Sequence, residues 1–262
     1  MKKEFAVHIL DKVRDDYNHI APDFANTRVN IWPEISVLFD YIKKSDKVLD
    51  LGCGNGRFVS IIREKAGPPA TLRERACLPE ILRITKQAGS RSDAGGEYFG
   101  TDVSENLIDI AKQNYPNENF QATQPLKLPF SDSCFDAIYS IAVLHHIPSK
   151  DFRLEFLQEA KRVLKLGGLF VLTVWKPKDK QERFLRAKFL LKKIFGLAGG
   201  LDFGDVIEPW FGNNKGERYF HCFKKDELTK LVRQAGFEIK ESGIIQNEKG
   251  NRQNLYFVVK KL

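Results

Sequence analysis

Apolar positions along this chain follow two rhythms. In some stretches they recur every three or four residues, the spacing of one helix face. In others they run together and stop at glycines, as buried strands do. The first stretch, residues 4 to 44, is of the helical kind. DKVRDDYNHIAPDFANTR places Val13, Tyr17, Ile20 and Phe24 close to helical spacing, and Pro22, which has no amide hydrogen, marks a break. WPEISVLFDYIKK reads as a second helix with Pro33 near its start, where the ring's fixed φ is tolerated. KVLDLGCG is then a strand ending in glycines, and RFVSIIREK a helix. YFGTDVS, FDAIYSIAVL and LFVLTVW predict further strands. The helices between them are SENLIDIAKQN, capped by Ser104, FRLEFLQEAKRVLK, closed by Gly167 and Gly168, and DELTKLVRQAGF, ended by Gly236. Two last strands, FEIKESGIIQ and NLYFVVKKL, flank the turn-like NEKGN with no helix between them.

Strand and helix alternate from residue 47 onward, which predicts an α/β fold: a doubly wound, mostly parallel sheet of about seven strands with helices on both faces. The closing strand pair predicts an antiparallel C-terminal hairpin at one edge. The expectation is one domain over residues 1–262, with 1–44 as an N-terminal helical segment on the substrate side. Two segments break the alternation. Residues 67–96 sit where a short link would suffice and read as a surface insertion holding one helical candidate, LPEILRITKQ. Residues 176–217 form the other, a basic amphipathic stretch followed by the glycine-rich GLAGGLDFG.

A chain of 262 residues is long enough for one large α/β domain, and 42% hydrophobic with 29% charged residues is an ordinary globular balance. No apolar run approaches the roughly 20 residues of a membrane span, and the N-terminal apolar stretch is cut by His8 and then by acids, unlike a signal peptide. The expectation is a cytoplasmic protein with no membrane partner. Cys53, Cys77, Cys134 and Cys222 are widely spaced with no C-x-x-C pair, so neither a metal site nor a disulfide framework is expected. The net charge of +8 attracts polyanions, nucleic acid being the commonest, although a basic enzyme without such a partner has the same balance.

Ligands of open α/β sheets lie beyond the carboxyl ends of the strands, where VLDLGCGNGRF puts Gly52, Gly54 and Gly56. The spacing is G-x-G-x-G rather than the G-x-G-x-x-G of dinucleotide sites, and Asp50 lies inside the turn. An anion there would repel a pyrophosphate and suits a ligand with positive charge, such as the ammonium or sulfonium of S-adenosylmethionine. Asp102, ending the second strand, can accept from ribose hydroxyls. With Asp102, LPFSDSCFD (128 to 136) and LKLGG joined to the loop, residues 45 to 262 resemble the class I S-adenosylmethionine-dependent methyltransferases. The resemblance implies cofactor contacts from Asp50, Gly52, Cys53, Gly54, Asn55 and Gly56, from Asp102 and Val103, and from Leu126 and Ile141. Such enzymes commonly hold the adenine amino group with an acid before the L-x-L-P segment; Gln124 stands there, and an amide oxygen can accept without charge.

YNHIAPDFANTRVNIWP, SIAVLHHI, DVIEPW and RYFHCFKKDEL, in this order along the chain, resemble the tRNA wobble-uridine carboxyl methyltransferases. Those enzymes esterify 5-carboxymethyluridine in the anticodon loop, and the eukaryotic ones work with a small zinc-binding activator subunit. A carboxymethyl group has a pKa of roughly 4 and is anionic at pH 7, so its oxygen can attack a sulfonium methyl without a general base. The site has to supply alignment and a cationic grip on the carboxylate. Arg218 and His221 are the candidates for that grip, with Arg28 as a second guanidinium. His145 and His146 follow a strand at the cofactor end, and one of them is expected to line the reaction pocket. Tyr17, Trp32, Trp210 and Tyr219 could wall the pocket or stack on an extruded base, or simply pack in the core. Lys178, Lys180, Arg183, Arg186, Lys188, Lys192 and Lys193 could hold the anticodon stem, form a solvated helix face, or meet a membrane surface. Two other readings stay open at this point: methylation of a small-molecule or quinone-like substrate, and a methyltransferase fold kept for binding alone.

Overall fold

The computed structural model describes residues 1–67, 96–195, 199–211 and 215–262. Seven strands form one sheet: β1 (Lys47–Leu51), β2 (Glu97–Asp102), β3 (Asn119–Ala122), β4 (Phe135–Ile141), β5 (Leu164–Trp175), β8 (Phe237–Gln246) and β9 (Gln253–Lys261), in the order β3-β2-β1-β4-β5-β9-β8. The first five run parallel, and β9 pairs antiparallel with both β5 and β8. The predicted doubly wound sheet and its antiparallel hairpin are therefore present. Alternate residues of each strand feed two cores. Leu49, Ile138, Phe170, Leu172 and Phe257 point to the face covered by α4 (Lys150–Val163) and α6 (Lys225–Gln234). Val48, Tyr98, Tyr139, Val171 and Val258 point to the face covered by α2 (Val59–Ala66), α3 (Glu105–Asn114) and the 3-10 helix Pro33–Tyr41. Burial on both faces explains why these strands read as continuous apolar runs.

The order reverses between β1 and β4, so the carboxyl ends of β1, β2 and β4 flank a crevice. Two elements outside the sheet close over it. One is α1 (Lys3–Thr27); the other is a separate two-stranded hairpin, β6 (Asp205–Phe211) with β7 (Lys215–His221). Between β5 and this hairpin runs α5 (Asp179–Ile194).

Four expectations are corrected. Pro22 does not break the first helix, which continues to Thr27. The proline leaves the carbonyl of Asn18 without its helical amide, and Asn106 Nδ2 donates to that carbonyl at 2.9 Å instead. Gly167 and Gly168 do not close a helix: α4 ends at Val163, and the pair lies inside β5. Gly167 has φ +76°, and a Cβ on Gly168 would stand 2.8 Å from the Asp136 carbonyl. The glycines thus carry the register shift by which β5 joins β4, from Phe135 opposite Leu164 to Ala137 opposite Leu169. The strand read over FDAIYSIAVL stops at Ile141, and Leu144–His146 is one 3-10 turn. β3, β6 and β7 had no strand signal. β3 is four residues with one buried side chain, Phe120, and β6 contains Pro209, which an edge position tolerates.

Most of the 67–96 insertion, with its helical candidate and Cys77, lies outside the described residues. Its two ends meet: the Gly96 amide donates to the Ala66 carbonyl at 3.2 Å, and Glu97 to the Asp46 carbonyl at 3.1 Å. β2 therefore pairs with β1 from Lys47 opposite Glu97 onward.

Candidate active site

The glycine loop is held by the neighbouring strand. The amides of Gly52 and Cys53 both donate to the Thr101 carbonyl, at 2.7 and 2.9 Å. Gly52 has φ +86°, and a Cβ there would stand 2.2 Å from Val143 Cγ2, so no side chain fits. Gly54 has φ +56° and its amide donates to Asp102 Oδ2 at 2.9 Å. Asp102 Oδ1 accepts from the Ser104 amide at 2.9 Å, and Ser104 caps α3 through the Leu107 amide at 3.2 Å. Burial pushes the Asp102 carboxyl up, against the backbone amides of Ser104, Gly54 and Val103, which pull it down. A carboxylate has about four acceptor sites in all, so Asp102 keeps capacity for a ligand hydroxyl.

A cavity of about 370 Å³ opens from this loop. Gly52, Cys53, Gly54, Asn55, Asp102, Val103 and Ile141 line it at one end. Asn55 also ties the loop to the covering helix, its Nδ2 donating to the Arg28 carbonyl at 3.2 Å. At the other end stand Arg28, Arg57, Arg218 and Arg252, among Tyr17, Phe24, Trp32, Trp175 and Phe220, with both His145 and His146.

The two histidines are fixed in neutral forms. His146 Nδ1 donates to the Tyr219 carbonyl at 2.8 Å, so its Nε2 accepts from the Tyr17 hydroxyl at 2.9 Å. His145 Nδ1 accepts from the Trp175 amide at 3.2 Å, which leaves the hydrogen on Nε2. Burial pulls His146 down to about 4, helped by nearby Arg218, and pulls His145 well down too. The positive charge at this end therefore comes from guanidiniums. Arg218 lies over Trp210 at 4.7 Å and Phe220 at 4.8 Å, with its buried Nε lacking a partner. Arg57 lies over Trp32 at 4.3 Å with Nη1 likewise unpartnered. Burial, with the like charges of Arg28 and Arg252, lowers it to about 10. Arg252 covers the same indole at 4.5 Å and is anchored by Glu34, its Nε donating at 2.7 Å. Arg28 lies 5.2 Å from Phe24 and 5.8 Å from Trp32.

Five sequence-predicted site residues are placed differently. His221 does not face the cavity: its Nδ1 meets Asp205 at 2.7 Å and its Nε2 meets Glu227 at 2.8 Å, because on β7 it alternates to the side opposite Arg218. Gln124 is exposed and bridges to Lys127, while its neighbours Thr123 and Pro125 line the cavity. Leu126 packs against the α4 side core. Gly56 has φ +79° and is needed for packing, since a Cβ would stand 3.0 Å from Phe120 Cζ. Asp50 lies beneath the loop, fully buried, with Oδ2 accepting from Tyr98 Oη at 3.0 Å and Oδ1 without a partner. Burial pushes it up to about 7.

Residues 24–242 match the methyltransferase domain family. The chain belongs to that family. The match takes in the glycine loop, Asp102 and the β6–β7 hairpin. This methyltransferase is similar to the Schizosaccharomyces pombe tRNA (carboxymethyluridine(34)-5-O)-methyltransferase, 26% identical with 95% of this chain and 96% of that protein covered. It is 30% identical to mouse tRNA (carboxymethyluridine(34)-5-O)-methyltransferase ALKBH8 over 67% of its own length, and spans 22% of that longer protein. A chain from the Haloferax volcanii complex between the Trm112 methyltransferase activator and a methyltransferase shares the fold, with TM-score 0.61 and 16% identity over 95% of this chain and 98% of that one.

The methyltransferase's loop fits S-adenosylmethionine. Gly52 and Gly54 leave room for close approach, Asp102 offers acceptors at the end of β2, and Asp50 carries an unpartnered carboxylate oxygen behind the loop. Sequence reading missed Arg57, Arg252 and Asn254, all of which line the cavity. Arg57 had a signal, since it follows the glycine loop directly. Arg252 and Asn254 had none, because only the insertion of β9 beside β5 brings them to the site; Asn254 lies opposite Trp175.

Proposed function

We propose that this methyltransferase esterifies the carboxylate of 5-carboxymethyluridine at the wobble position of tRNA, using S-adenosylmethionine. The observation that carries the reading is the pairing of a glycine loop with an arginine-lined, aromatic-walled far end in one cavity. S-adenosylmethionine, when bound, supplies a methyl group activated on a sulfonium. Arg218, with a free donor and no ion pair among the described residues, grips the substrate carboxylate and leaves one oxygen open to attack. Arg28 lies beside the same Tyr17 and stabilises the anion on approach. The neutral histidines hold Tyr17 and the β7 backbone in place without adding a charge that would compete for the carboxylate. Tyr17, Trp32 and Phe220 exclude water, and a dry cavity favours a reaction in which both reactant charges vanish. The names of the relatives support the RNA substrate. The Haloferax volcanii complex supports an activator subunit as partner.

The test is to incubate the full chain with labelled S-adenosylmethionine and tRNA carrying 5-carboxymethyluridine, with and without a candidate activator subunit, and to analyse nucleosides by mass. Base-labile methyl on the wobble uridine is the expected product. Cofactor binding with turnover of small carboxylic acids but no modified tRNA would overturn the substrate assignment.

A further inference from the structure

Arg218 stands on a hairpin that has no place in the main sheet, and a two-stranded hairpin alone is marginal in water. Behind it lies a cluster of buried charges that the cavity does not use. Asp205, the first residue of β6, is 2% exposed. Its Oδ1 accepts from Tyr219 Oη at 2.7 Å, from His221 Nδ1 at 2.7 Å and from Arg153 Nη2 at 3.2 Å. Its Oδ2 accepts from the Asp202 amide at 2.8 Å. Arg153, on α4 and 2% exposed, also donates from Nη2 to Tyr219 Oη at 3.0 Å and from Nε to the Ile147 carbonyl at 2.9 Å. His221 Nε2 reaches Glu227 on α6 at 2.8 Å. Both ring nitrogens thus face carboxylates. The cluster joins both strands of the hairpin to α4, α6 and the turn before α4.

The alternation of β7 links this cluster to the cavity. Tyr219 and His221 point back into the cluster, while Arg218 and Phe220 point into the cavity. A one-residue slip would exchange these faces. The Tyr219 carbonyl also holds His146, so a moved hairpin disturbs the Tyr17–His146 contact as well.

We propose that Arg153, Asp205 and His221 are positioning residues, which seat the β6–β7 hairpin so that Arg218 meets the substrate anion. The buried ion cluster, with all its members partnered, sets orientation rather than adding net stability. The assignment rests on the substrate-gripping role of Arg218 given above.

The experiment combines His221→Gln and the harsher Asp205→Asn with Arg218→Ala in the full chain. His221→Gln lowers kcat on 5-carboxymethyluridine tRNA on the order of 100-fold, as misplacement of a reacting group does, and leaves KM for tRNA and affinity for S-adenosylhomocysteine within about twofold. In an Arg218→Ala background the same change costs almost nothing further, because it acts through Arg218. Hydrogen exchange, which needs no substrate, quickens at residues 205–211 and 215–221 and not in β1 or β4. Additive losses in the double variant, a parallel fall in cofactor affinity, or exchange that quickens throughout the chain overturns the proposal. A wild-type protein inactive on this tRNA defeats the substrate assignment instead. Hydrogen exchange then decides the seating by itself: local quickening upholds it, and unchanged exchange ends it.

Discussion

At the glycine end of the cavity, the binding groups come from two short stretches, residues 50–55 and 101–103, on adjacent parallel strands. At the far end, four arginines arrive from the end of α1, the exit of the glycine loop, the β6–β7 hairpin and the turn before β9. The charges differ as sharply as the construction. One end holds two carboxylates whose pKa values burial raises; the other holds guanidiniums, two of which burial lowers, with buried donors unpartnered on Arg57 and Arg218. Arg57 and Asp50 each favour the other's charged form, yet burial outweighs that attraction, and Glu208, opposite Arg218 on the hairpin, lines the cavity as well. A buried group without its complement costs free energy, so both ends mark places where ligands complete the electrostatics. A methyl donor with a cationic centre complements the first, and an anionic acceptor complements the second.

The comparison can be broken most severely at the first end. Gly52→Val forces a side chain against Val143 at a position with φ +86°. Affinity for S-adenosylhomocysteine should fall on the order of 100-fold or more, roughly 3 kcal/mol, by calorimetry, while tRNA binding holds. An unchanged cofactor affinity would mean that the loop is not the cofactor cradle. At the other end, Arg218→Ala should cut kcat/KM on the order of 100-fold or more and leave cofactor affinity unchanged. An equal loss of cofactor affinity would erase the division between the ends.

Asp50 sharpens the contrast through pH. Its carboxyl is raised from 3.8 to about 7 on folding, so the folded state holds the proton more tightly. Its contribution to stability is present at acid pH and is lost as pH rises toward and through about 7. Asp50→Asn removes that loss. The ligand-free variant should melt several degrees above the parent at pH 8, with a smaller gap at pH 5, yet bind S-adenosylhomocysteine about tenfold more weakly. Melting curves that do not separate with pH would show that Asp50 is not strained by its burial.

The smallest effect lies outside the cavity. Lys178, Lys180 and Lys188 are exposed along α5 and its approach, and changing all three to glutamine should weaken tRNA binding several-fold. It should also reduce the slope of log affinity against log salt by about two to three. An unchanged slope returns this face to a solvated surface. The helix has a second character: Phe184, Leu191, Ile194 and Phe195 are exposed, while Phe189 is buried against Phe203.

Much of the fold was legible in the chain. Strands buried on both faces announce themselves as apolar runs, and capped amphipathic helices as periodic ones. What escaped was structure held by contacts rather than by pattern. β3 is short with one buried side chain, the hairpin strands carry polar and cavity-facing residues, and α1 survives Pro22 because Asn106 meets the orphaned carbonyl. In the site, the glycines and Asp102 could be read because spacing itself makes a turn at a strand end. Arg218 and His221 share one strand and one motif, and pattern alone could not tell which of them faces the ligand.

By itself the sequence determined the sheet, the loop at its carboxyl edge and the kind of donor that loop can hold, since these depend on residues close together in the chain. Tertiary structure decided the rest. It buried Asp50 beneath the loop, turned His221 into the hairpin's anchor, left Gln124 in solvent and brought Arg57 and Arg252 to one indole. The physical reason is that a side chain's charge state and partners depend on what packs against it, and in this protein those neighbours come from elements as far apart in sequence as residue 32 and residue 252.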